Sequence, residues 1–114
     1  MNALTELGQM LDSMNIAWQT GSFQAPAPNE YIVFVPLGDI FDVMADNRPT
    51  SDIQMVRVSI FSNGNYNRIK DELVRRLLSS DFYFSDRRYM GYDSDTGYHQ
   101  YVLDIAKHYE MEGL

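Results

Sequence analysis

"DIQMVRVSIF", residues 52–61, alternates its side chains with a period of two. Val56, Val58 and Ile60 fall on one face, and Met55, Arg57, Ser59 and Phe61 on the other. Successive Cβ atoms of a strand point to opposite sides, so this segment reads as a half-buried β-strand. Upstream, "YIVFVPL" (31–37) is apolar at nearly every position, the pattern of a central strand covered on both faces. The charged, proline-bearing segment 39–49 between the two reads as a loop with room for a short edge strand around Phe41 and Val43. Pro49 has no N–H to donate, and Asp46 and Asn47 favour a turn.

Downstream, "SNGN" (62–65) stops the strand, and Asn63 or Asn65 is placed to cap a second helix. Over 66–79, Ile69, Leu73, Val74, Leu77 and Leu78 form one helical stripe. Asp71 with Arg75 and Glu72 with Arg76 make acid-first pairs on the opposite side. The rest reads as a hairpin: strand 81–90, turn 91–97 and a long return strand from Tyr98, with Tyr101, Leu103 and Ile105 facing one way and Gln100, Asp104 and His108 the other. At the other end of the chain, Leu4, Leu7, Met10, Leu11 and Met14 mark an amphipathic helix over 3–14, weakened by Gly8. "NIAW" continues as a short extended piece. Pro26 and Pro28 then stiffen a connector over 25–29.

The order is α-β-β-α-β-β, without parallel βαβ crossovers or repeats. The expected fold is therefore α+β: a four- to five-stranded, mostly antiparallel sheet with two helices packed on one face. The 114 residues are expected to form one domain with a core that needs no staples.

Charge and composition narrow the function. The net charge is −7; residues 1–50 hold six acids and one base, Arg48, and residues 51–114 hold ten acids and eight bases. A nucleic-acid reader ordinarily carries a basic footprint, so specific nucleic-acid binding is not expected. With no cysteine, disulfides, thiol catalysis and cysteine metal sites are excluded. The longest apolar run, Tyr31–Leu37, is far shorter than the roughly 20 residues of a membrane span. The first sixteen residues lack a basic n-region and carry Glu6 and Asp12, so neither a secretory leader nor membrane insertion is expected.

The stretches that look chemical read better as structure. As a calcium loop, "DSDTG" (93–97) would need an oxygen ligand fifth, glycine sixth and a bidentate glutamate twelfth, but it offers Gly97, Tyr98 and Asp104. Its residues are those that build turns. His99 and His108, nine apart on one strand, face opposite sides and cannot share a metal or a proton. Gly64 alone does not make a phosphate loop. Arg87 and Arg88 beside Tyr83 and Tyr89 fit an ion-paired strand end. Six of the eight tyrosines fall on or beside the hairpin, more than a small core readily absorbs, which hints at a protein partner.

Three strings in fixed order, "FDVMADNRPTSDIQMVRVSIFS", "NYNRIKDELVRRLLSSDFYF" and "YDSDTGYHQYVLDIAKHY", together resemble the tail-completion and tail-terminator proteins of tailed bacteriophages and prophages. The resemblance covers about residues 3–109. It implies a non-enzymatic minor structural protein of the virion neck, made in the bacterial cytoplasm, without metal or cofactor. Such proteins form rings, commonly hexamers, that cap the tail tube and meet the head connector at the head–tail joint. The partners implied are thus further copies of the chain, the major tail tube protein and the connector. Carried onto this sequence, the interface residues are Ala45, Asp46, Asn47, Arg48 and Pro49, with Asp93, Asp95, Gly97, Tyr98 and His99 of the turn. Two other readings stay open: a dimeric ligand-binding or regulatory α+β module, and a small hydrolase or transferase using Asp93, Asp95 and His99.

Overall fold

A computed structural model describes residues 2–22, 27–41, 44–45, 48–49 and 51–110. Helix α1 (Ala3–Ser13) leads into strand β1 (Ala17–Thr20), then β2 (Glu30–Phe41), β3 (Met44–Ala45), β4 (Arg48–Pro49) and β5 (Ser51–Ser62). Helix α2 (Asn67–Ser79) precedes the hairpin of β6 (Tyr83–Asp93) and β7 (Tyr98–Glu110). Five strands form one sheet in the order β1-β2-β5-β7-β6, while β3 and β4 make a separate two-stranded ladder. Every pair is antiparallel except β1 with β2. The fold is α+β, with a mostly antiparallel sheet.

The alternating stretch is the middle strand. β5 pairs with β2 and β7 along its whole length, aligning Phe34, Val58 and Leu103 in one row and Ile32, Ile60 and Tyr101 in the next. These side chains join Leu7 and Leu11 of α1 and Ile69, Leu73 and Leu77 of α2 in a single buried cluster. Both helices therefore share one core with the same face of the sheet.

The two helices end alike. Asn15 (φ 57°) and Asp81 (φ 66°) take the left-handed conformation just past each C-terminus. The Ile16 N–H then reaches back to the Leu11 carbonyl (3.1 Å), and the Phe82 N–H to that of Leu77 (3.0 Å). This is the Schellman arrangement, and Ile16 and Phe82 each pack into the core beside the residue they cap. At the start of α1, Asn2 Oδ1 accepts the Thr5 N–H (2.9 Å). At α2, Asn65 Oδ1 accepts from the Asn67 N–H (3.0 Å), so the expected asparagine cap sits just outside the first turn.

One expectation is corrected and two are extended. Asp39 to Phe41, expected as loop with room for a short edge strand around Phe41, continue β2 and pair with Gln54, Ile53 and Asp52 across a bulge between Pro36 and Gly38. β1 stops pairing at Phe34, so Pro36 falls where β2 has become an edge, a place that tolerates a missing donor. Gly38 (φ 150°) then supplies the bulge conformation. Val43 lies outside the described residues. The extended piece after α1 is a parallel edge strand, which a scan for local alternation does not anticipate. Finally, Gly8 is a contact site: a Cβ there would stand 2.7 Å from Cζ2 of Trp18. The indole lies across the helix with its N–H donated to Asp12 Oδ1 (2.8 Å) and its ring 5.4 Å from that of Phe34.

Candidate interaction surface

The second face of the sheet carries neither helix in its packing. Its rows are set by the register: Tyr31–Phe61–Gln100–Gly91, Val33–Ser59–Val102–Arg88, Val35–Arg57–Asp104–Asp86, and Gly38–Met55–Ala106 with Tyr83. Short side chains at its centre, Ser59, Val102 and Ala106, are buried between longer ones. Three zones divide the face.

At the end nearest the β2–β5 connection it is apolar. Val35 and Ile40 share it with Ile53, Met55 and Tyr83; Leu37 sits in the bulge and Phe41 at the strand end. Val35, Leu37, Ile40 and Phe41 are 36, 47, 52 and 61% exposed. Solvated apolar side chains grouped in this way mark a surface that gains by being covered.

Across the middle runs a belt of paired charge. Arg57 donates to both carboxylate oxygens of Asp104, at 2.8 and 3.0 Å. That hydrogen-bonded contact, with the Asp104 charge, raises the guanidinium above its ordinary range. Arg88 pairs with Asp86 on the neighbouring edge strand.

At the turn end lies an aromatic pocket of about 420 Å³. Tyr31 and Phe61 stack as a cross-strand pair, with ring centroids 4.8 Å apart and planes 10° apart. Tyr98 stands edge-on to Tyr31 at 5.2 Å, its hydroxyl donated to the Pro28 carbonyl (2.5 Å). Burial, then the neighbouring Tyr98, pushes the Tyr31 phenol above its usual range.

The turn residues are placed as a turn requires. Asp93 Oδ1 accepts the Asp95 N–H (2.9 Å), the Gly97 N–H reaches the Asp93 carbonyl (2.7 Å), and Gly97 has φ 81°. Asp93 and Tyr98 are partners in register and line the aromatic pocket. His99 does not join them. It points to the helix side, where Nδ1 meets the Tyr89 hydroxyl at 2.8 Å and the rings of Tyr66, Tyr89 and Tyr92 surround it. Asp93 and His99 thus face opposite sides of the sheet and are not brought together. His108 lies on the uncovered face against Tyr83.

Ala45 pairs with Arg48, and Met44 with Pro49, in the small ladder; Asp46 and Asn47 lie outside the described residues. Both pairs lie between Phe41 of β2, an edge strand at that end, and Ser51 of β5. Tyr31 and Phe61, which build the pocket with Tyr98, are not among the residues the sequence singles out. The signal is there in part, since alternation already puts Phe61 opposite Val56, Val58 and Ile60. Among the described residues no group of three or more His, Cys, Asp or Glu side chains is placed to hold a metal ion, and no helix is long and apolar enough to cross a membrane. No protein-family model matches the chain, and no curated protein matches it.

Proposed function

We propose that this protein is a structural assembly component of the phage tail-terminator kind, which self-associates into a ring, caps the tail tube and contributes to the head–tail joint. The observation that carries the reading is the apolar end of the uncovered sheet face, where Val35 and Ile40 lie in solvent on strands already fixed in register, with Leu37 exposed in the bulge between them. A second copy would remove that surface from water at roughly 25 cal/mol per Å² of apolar area. A closed ring needs heterologous contacts, so this patch would meet a different patch of the next subunit. A rigid, paired β2–β5 hairpin suits such docking, because few side chains need ordering on association. The sequence resemblance supplies the virion setting and the tube and connector partners.

Sedimentation of the purified chain, alone and with tail tubes, tests this reading. A ring-sized species or stable tube ends is expected, and Ile40→Asp with Val35→Asp should abolish either while the fold survives. A protein that stays monomeric and leaves tube growth unaltered would overturn the reading.

A further inference from the structure

The aromatic pocket offers a chemistry that self-assembly does not require. Tyr31 and Phe61 present a wall of stacked rings, and Tyr98, nearly perpendicular to Tyr31 and anchored on Pro28, closes a corner. The faces of such rings carry negative potential and attract cations. Gly91, opposite Gln100 in register, has φ 133° and leaves the edge of the pocket open where another residue would place a side chain.

The polar groups in the pocket are acceptors or can act as acceptors. One oxygen of Asp93 holds the Asp95 N–H. Its other oxygen, the Gln100 amide and the Thr96 hydroxyl make no side-chain hydrogen bond among the described residues. Among those residues neither lysine nor arginine lines the cavity. Filling it with an aliphatic group would leave the carboxylate and amide unpaired at a cost. A flat cation with several donors would stack on the rings and pair with the acceptors together.

We propose that this pocket accepts the guanidinium of an arginine side chain presented by a partner protein. The guanidinium plane lies against an outer ring face of the Tyr31–Phe61 stack while its forked N–H groups reach Asp93 and Gln100 Oε1. A planar fork fits this combination of ring face and carboxylate better than a lysine ammonium, which is a compact and strongly hydrated point charge. The net charge of −7 favours the approach of a basic segment. The proposal is independent of the ring.

Titration of the full chain with the peptide acetyl-Gly-Arg-Gly-amide, monitored by NMR, is the test. Shifts centred on Tyr31, Phe61, Tyr98 and Asp93 are expected. The neutral isostere, with citrulline for arginine, should bind at least about fivefold more weakly, the scale of a half-exposed cation–ring and ion-pair contact. Asp93→Asn keeps the acceptor for the Asp95 N–H and should also weaken the arginine peptide about fivefold. Equal binding of the citrulline peptide, shifts centred elsewhere, no binding, or an Asp93→Asn protein that binds normally would each overturn the proposal. The arginine and citrulline titrations on the unaltered chain are read separately from the sedimentation experiment, so failure of one is distinguishable from failure of the other.

Discussion

The two faces of the sheet are made by the same three long strands and behave as different materials. Phe34, Val58 and Leu103 form a row on the helix side that solvent hardly touches. One residue further on, Val35, Arg57 and Asp104 form the next row on the other side, with an ion pair beside a valine left partly in solvent. The period of two lets one backbone ladder hold a dry core and a solvent-facing surface 180° apart. Stability should therefore reside on one face and binding on the other.

The largest test of that division sets Leu103→Ala against Val35→Ala. In urea unfolding the first should cost about 2–5 kcal/mol, since it leaves a cavity under two helices. The second should stay within about 0.5 kcal/mol in the monomer. Comparable losses from both would erase the distinction.

Next in size is Gly8→Ala. Helix propensity alone forecasts a gain of about 1 kcal/mol. With Trp18 already at contact distance, the methyl must displace the indole, and a net loss of about 1–3 kcal/mol by thermal unfolding is expected. A gain would show that the Trp18 packing adjusts freely.

Tyr109 sharpens the covered side through pH. Its hydroxyl donates to Glu6 Oε1 (2.8 Å), and Lys107 Nζ meets the same carboxylate at 2.7 Å, tying α1 to β7. Burial, then the hydrogen bond and charge of Glu6, raises the phenol well above its ordinary value of 10.0. Above that pH the unfolded chain loses the tyrosine proton while the folded chain keeps it. Stability from this group is thus fully present below about pH 10 and falls as pH rises further. Tyr109→Phe should cost about 1 kcal/mol at neutral pH and flatten the alkaline slope in denaturant titrations. An unchanged slope would assign the alkaline loss to other groups.

The smallest effect concerns the helix ends. Asp81→Gly should stabilise by up to about 1 kcal/mol, because the left-handed conformation strains a side chain and suits glycine. A destabilised variant would mean that the aspartate contributes more than its backbone shape.

Local signals are legible where one residue's neighbours decide its place. Val56, Val58 and Ile60 name the buried face of β5, and Ile69, Leu73 and Leu77 name that of α2, because the strand and helix periods are local properties. Asp39 to Phe41 read as loop because the bulge that keeps them in β2 is tolerated only where β1 has ended, a fact of the sheet. Gly8 looks like a helix defect until Trp18, ten residues on, is brought across it. The aromatic pocket is least legible. Tyr31 meets Phe61 only through the β2–β5 register, and Tyr98 only through β7, so no single window contains the site.

The sheet order has a consequence for synthesis. β7, last of the strands to leave the ribosome, lies between β5 and β6. A nascent chain paused after α2 would expose one whole edge of β5, and the α1 carboxylate at Glu6 would still await Lys107, 101 positions later. Folding of the sheet must then wait for β7 and be slow for its size, as long-range strand pairing requires. Until β7 pairs, the bare edge of β5 is the part of the molecule most in need of a chaperone.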